Sequence, residues 1–185
     1  FSGLGLLECS SFHLAIKDDI KKMHYDFKDF IEIEESKTEY NVLRIDLLSN
    51  LLKILHENSD SAYPQNIFEI GKVFAKNKQK DTSVEEKQHL AICLANEKVN
   101  FTSIKQILDY LFKMLGKEYK LEQTESQNFI IGREGKIIIK VKDEKGKEQE
   151  KEVGILGEIS PRVLKNWKIK VPVSALELNL DFLFQ

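Results

Sequence analysis

Two stretches, Ile67-Phe-Glu-Ile-Gly-Lys-Val-Phe74 and His89-Leu-Ala-Ile-Cys-Leu94, carry the clearest strand signal in the chain. Each is a short, mostly apolar run bounded by polar residues, the length of a strand rather than a helix. Between them Ala75 to Lys87 is a polar, lysine-rich loop, so the pair reads as a long-looped antiparallel hairpin. Antiparallel hairpins with helices intervening irregularly define an α+β chain rather than a βαβ alternation.

Upstream, leucines at 47, 48, 51, 52 and 55 form a helical stripe from Asp46 to Asn58, with Asp46 as N-cap and Asn58 as stop. Phe30 to Glu34 alternates like a half-buried strand, and Leu6 to Leu14 reads as a helix end running into a strand. Gly3-Leu4-Gly5 lacks the third glycine and the preceding strand of a dinucleotide loop, and suits a helix C-terminus instead. Downstream, Ile104, Ile107, Leu108, Leu111 and Leu115 predict a second helix, opened by Thr102 or Ser103 and closed by Gly116. Strands are then expected over Tyr119 to Glu122, Asn128 to Ile131, Lys136 to Lys142, Glu152 to Ile159 and Val171 to Leu180. Asp143 to Glu152, nearly all Lys, Glu, Gln and Gly, predicts a solvated hairpin tip. Ser160-Pro161 opens a short helix carrying Val163, Leu164 and Trp167, with Trp167 as its packing anchor.

The 185 residues, 42% hydrophobic and 31% charged, are those of one globular domain. No apolar run approaches the roughly 18 residues of a spanning helix, so no membrane role is expected. With 28 bases against 30 acids there is no uniformly basic body to grip nucleic acid. Arg44, Arg133 and Arg162 are the only arginines, and planar two-bond recognition of phosphate favours arginine over lysine. Cys9 and Cys93 are expected as buried, inert thiols in a reducing compartment, and the four histidines show no metal-ligand spacing. Beginning at Phe1 rather than a methionine, the chain is expected to be a C-terminal fragment of something longer.

Five segments in this order resemble the C-terminal, catalytic-core-like domain of the phenylalanyl-tRNA synthetase beta subunit, of the archaeal and eukaryotic type. They are Glu39 to Leu52 around Arg44, Gln65 to Phe74, Asn100 to Leu108, Leu156 to Trp167 and Pro172 to Leu178. Ser49, Gln106 and Ser160 stand where that family commonly has proline, glycine and histidine. The resemblance implies one class II synthetase-like domain over residues 1–185, a mostly antiparallel sheet flanked by helices. It also implies a cytoplasmic (αβ)2 enzyme that attaches phenylalanine to its tRNA with ATP and magnesium.

Working class II enzymes hold the nucleotide with one arginine in the motif 2 strand and another in a final glycine-rich helix. Here Phe68 to Lys72 has no arginine, and Leu176 to Leu183 has neither arginine nor glycine. This domain is therefore expected to be structural, without catalytic residues, cofactor or metal of its own, and paired with the catalytic alpha subunit. Phe1, Leu4, Leu6 and Leu7 are the candidate contacts, and tRNA is met through the complex. Glu69 and Glu177 are the pair an acid/base mechanism would choose, against the plainer expectation of carboxylates paired across the sheet. Two alternatives stand beside this: an RNA-binding module using Lys76, Lys78, Lys80 and Lys87, and a stand-alone class II-like enzyme activating an acid with ATP.

Overall fold

A computed structural model describes residues 1–25, 30–142 and 146–184. After a single 3-10 turn at Ser2–Leu4 come β1 (Leu7–Glu8), β2 (Leu14–Ile16), α1 (Lys17–Lys21), β3 (Tyr40–Leu43) and α2 (Leu48–Glu57). The hairpin β4 (Gln65–Lys76) and β5 (Val84–Ala95) leads into α3 (Phe101–Leu115). The chain continues through β6 (Lys120–Glu122), β7 (Phe129–Lys142), β8 (Glu148–Ile159), α4 (Pro161–Asn166) and β9 (Val173–Asn179). Seven strands form one sheet in the order β1-β4-β5-β9-β8-β7-β6, antiparallel except where β1 joins β4, while β2 and β3 pair separately.

The sheet is covered on both faces. On one, Ile67, Ala91, Cys93 and Ala175 meet the leucines of α2 together with Val163 and Trp167 at α4. The strands supply small side chains there, which lets a helix lined with large ones sit close. On the other face Phe68, Ile92, Leu156, Leu176 and Leu178 pack against Ile104, Leu108 and Phe112 of α3. The spacing of those three residues is four, and Phe112 lies between Leu111 and Leu115 of the stripe that marks the helix in the sequence.

Several expectations change. The hairpin strands run through Lys76 and from Val84, so the loop is 77–83 rather than 75–87. The polar ends hold because the ladder is a main-chain property, and Lys72 pairs with Glu86 at 2.5 Å across the two strands. The expected strands Asn128 to Ile131 and Lys136 to Lys142 merge into one, β7, which starts at Phe129. Glu148 to Glu152 is strand too, while residues 143–145 of the expected tip lie outside the described residues. Phe30 to Glu34 is not a strand, and its one bridge is between Glu32 and Val42. The cap of α3 is Asn100, which exchanges hydrogen bonds with Ser103, rather than Thr102 or Ser103. Gly116 at φ 62° ends α3 and Ser160 caps α4, both as expected. No described helix is long and apolar enough to cross a membrane.

Candidate functional site

Over the centre of the sheet lies a cleft of about 470 Å³, lined among others by Tyr25, Asp46, Lys87, His89, Glu152 and Glu177. Its floor is set by register. Glu69 on β4 lies opposite Ala91 on β5, and Ala91 lies opposite Glu177 on β9, so both carboxylates rise from the same face. Two strand spacings separate their backbones by about 10 Å, and each is taken up by different partners.

Glu177, buried, accepts the backbone N–H of Leu47 at 3.1 Å and of Leu48 at 3.1 Å, and meets His89 Nδ1 at 2.6 Å. The first N–H groups of a helix have no partner within the helix and carry the positive end of its dipole, so a carboxylate there is well placed. Asp46 shares that helix start, accepting from Ser49 N at 3.3 Å and from the Tyr25 hydroxyl. Burial and then the neighbouring Glu177 charge push the Asp46 carboxyl up to about 7. Burial also raises the Tyr25 phenol, with the charges of Asp46 and Glu177 adding to it. Burying carboxylates costs several kcal/mol each in effective terms. Leu47, Leu48, Leu51, Leu52 and Leu55 are all buried along α2, and at about 2 kcal/mol each they outweigh that cost.

Glu69 belongs to a second cluster. It pairs with Arg44 Nη1 at 2.7 Å, both side chains 2% exposed, and accepts the Ser11 N–H at 3.1 Å and hydroxyl at 2.7 Å. Arg44 Nε donates to the Lys72 carbonyl at 2.7 Å and Nη1 also to Ser11 Oγ at 2.9 Å, while Asn50 Nδ2 donates to the same Oγ at 2.8 Å. A Cβ on Gly71 would stand 2.3 Å from Arg44 Nη2, so glycine makes room for the guanidinium. An arginine thus does reach β4, from the β3–α2 junction, but it ties the N-terminal segment and α2 to the sheet. Sequence spacing brings out Glu69 and Glu177; it does not bring out Arg44, His89 or Tyr25 as their neighbours. Asp46, expected as the N-cap, stands one residue before the N-cap Leu47; its carboxylate still accepts the Ser49 N–H and it joins the cleft.

The remaining candidates are scattered. Leu6 is buried in the chain's own core, and the Phe1 ring packs on Phe68 with centroids 5.1 Å apart. Leu4 and Leu7 face outward, 38% and 69% exposed. Lys78 and Lys80 are exposed on the β4–β5 loop, whereas Lys87 pairs with Glu85 at 3.5 Å. Cys93 is buried and Cys9 half-buried, both free, and burial raises both thiols. Trp167 is 1% exposed, with Lys22 Nζ 4.2 Å from the ring centroid. Among the described residues no three His, Cys, Asp or Glu side chains are grouped to hold a metal ion.

The antiparallel sheet, with α2 and α4 on one face and α3 on the other, is the fold of class II aminoacyl-tRNA synthetases. A pyrrolysyl tRNA synthetase from Desulfitobacterium hafniense matches with a TM-score of 0.75 over 99% of this chain and 63% of that one, at 17% identity, a likeness of fold alone. The family described as the phenylalanyl tRNA synthetase beta chain CLM domain matches residues 1–180, and the chain belongs to it. The phenylalanine–tRNA ligase beta subunit of Pyrococcus abyssi is 40% identical over 185 residues, covering 99% of this chain and 32% of that protein. That of Thermococcus onnurineus is 37% identical over 198 residues, covering 99% of this chain and 33% of that protein. The chain spans about a third of the length of these curated relatives.

Proposed function

We propose that the chain is a non-catalytic, architectural part of a phenylalanine–tRNA ligase beta subunit. Residues 1–185 are one synthetase-like core unit from the C-terminal part of a longer chain. It pairs with the catalytic alpha subunit in a cytoplasmic (αβ)2 enzyme that charges tRNA. ATP and magnesium serve the whole enzyme, and this unit takes no cofactor.

One observation carries the reading. The cleft that would seat a nucleotide presents Asp46, Glu152 and Glu177 against Lys87 and His89. A triphosphate needs convergent cations in its transition state. Arg44, the guanidinium nearest the motif 2-like strand, is buried and spent on protein acceptors. These residues do not fit a magnesium-bound triphosphate. A catalytic fold without such grips still offers surface for assembly, and outward-facing Leu4 and Leu7 are the proposed contacts.

Co-expression of the full-length subunit with its alpha subunit tests the reading. The two should co-elute at low and high salt alike, and the pair should charge phenylalanine tRNA. Leu7→Asp should loosen the pair without unfolding the subunit. A beta subunit that elutes alone beside free alpha subunit, or that by itself catalyses amino-acid-dependent ATP–pyrophosphate exchange, would contradict it.

A further inference from the structure

Charge is nearly balanced over the whole chain, 28 bases against 30 acids, and many sheet lysines have an acidic partner. Lys72 pairs with Glu86, Lys120 with Glu150 and Lys136 with Glu152. The corner made by α4, the turn after it and the entry to β9 breaks that pattern. Between Glu158 and Glu177 the sequence holds Arg162, Lys165, Lys168 and Lys170 and no acid at all. All four side chains are exposed, and among the described residues none has an ion-pair partner.

Three of them, Lys165, Lys168 and Lys170, line one groove of about 620 Å³ together with Arg133 from β7. Its single acid, Glu158, is already held by Arg133 Nη1 at 2.8 Å and by the Phe101 N–H at 2.9 Å. The frame beneath is rigid: Val163, Trp167 and Ile169 are buried, so Lys165, Lys168 and Lys170 project from fixed backbone. Lys168 stands at φ 55°, in the left-handed region, where its N–H meets the Lys165 carbonyl at 3.0 Å. A side chain there costs roughly 1 kcal/mol or more against glycine, the usual residue at such a helix end. The turn alone would favour glycine; what lysine adds is a fourth charge in nine residues, Arg162 to Lys170.

Lysine ammoniums are compact point charges whose three rotatable N–H groups donate to phosphate oxygens from many directions, without the fixed two-bond geometry that the arginine fork imposes. None of the groove's lining residues is aromatic, so bases have no platform to stack on. We propose that this α4–β9 corner docks the phosphodiester backbone of RNA through Lys165, Lys168 and Lys170, without reading sequence. Resting on the reading of the chain as part of a tRNA ligase, that RNA is the transfer RNA.

The test uses the full-length subunit assembled with its alpha subunit. The variant is Lys165→Gln/Lys168→Gln/Lys170→Gln, and tRNA binding is measured from about 50 to 300 mM KCl. Each phosphate contact contributes a slope of about 0.7 in log K against log salt for a single strand. The triple variant should therefore bind roughly 100-fold more weakly at about 0.1 M salt, with a slope shallower by about 2. Each single substitution should cost roughly fivefold on the same arithmetic, so the single variants decide the question if the triple one unfolds. ATP–pyrophosphate exchange, which needs no tRNA, should stay at the wild-type rate, and Lys78→Gln/Lys80→Gln should leave binding unchanged. Wild-type affinity and slope in the triple variant of a complex that charges tRNA overturn the inference while leaving the functional reading intact. So does loss of the alpha subunit with tRNA affinity retained, which assigns the corner to an acidic protein surface. A wild-type complex that neither binds nor charges tRNA overturns the reading and the inference together.

Discussion

Asp46 and Glu177 meet at the start of α2, and the two carboxylates divide its end between them. Glu177 accepts the N–H groups of Leu47 and Leu48, while Asp46 accepts that of Ser49 and the Tyr25 hydroxyl. Desolvation, then the Glu177 charge, hold the Asp46 carboxyl near 7 against an ordinary 3.8. Between those values the folded chain keeps a proton that the unfolded chain has released. The stability this lends is complete below the unfolded value and is lost as pH rises through the folded one. Denaturant unfolding should thus show stability falling by up to about 1.4 kcal/mol per pH unit between about pH 4 and 7. Asp46→Asn cannot ionise yet keeps an acceptor for Ser49, so it should flatten that window and gain on wild type above it. An unchanged slope in the variant would place the proton elsewhere. Arg44 and Glu69 show the opposite economy of charge: two buried ions neutralise each other and join Ser11, Asn50 and Lys72 to one point.

At the scale of elements, what the sequence declares is what is local. The leucine stripes of α2 and α3, Gly116 at the end of α3 and the Ser160-Pro161 start of α4 are all written within a few residues of where they act. Strand limits are not, because a strand ends where its neighbour ends: β4 and β5 continue through Lys76 and Val84 by pairing with each other. Phe30 to Glu34 alternates correctly but finds only the bridge to Val42. The site is harder still to read. Glu177 stands 88 residues from His89 and 130 from Leu47, so its partners appear only once β9 lies beside β5. Glycines in strands carry the same kind of hidden information. A Cβ on Gly154 would lie 2.1 Å from the Glu177 carbonyl oxygen, whereas one on Gly135 would meet nothing nearer than 3.4 Å. Gly154→Ala should therefore force β8 from β9 and cost roughly 3 kcal/mol in chemical denaturation, with Gly135→Ala within about 1 kcal/mol of wild type. Equal costs at the two sites would mean that the β8–β9 approach is slacker than its register implies.

For the molecule as a whole, both faces of the sheet are occupied by the chain's own helices, and the opening over its centre is lined by three carboxylates. Lys87 at the rim of that opening is already paired with Glu85, and Arg44 is buried beneath Gly71. Four exposed cations without an ion-pair partner among the described residues, Arg162, Lys165, Lys168 and Lys170, cluster instead at the α4–β9 corner, beyond the strands that line the cleft. Nucleotide binding can be separated from catalysis by its effect on stability. A ligand present at 100 times its dissociation constant adds about 2.7 kcal/mol to the folded state, enough to raise the melting temperature by several degrees. Magnesium–ATP titrated into the full-length beta subunit, without its alpha partner, should leave the melting temperature unchanged, because the cleft offers its phosphates more negative than positive charge. A saturable rise of several degrees, abolished by Lys87→Glu, would show that the cleft grips phosphate after all.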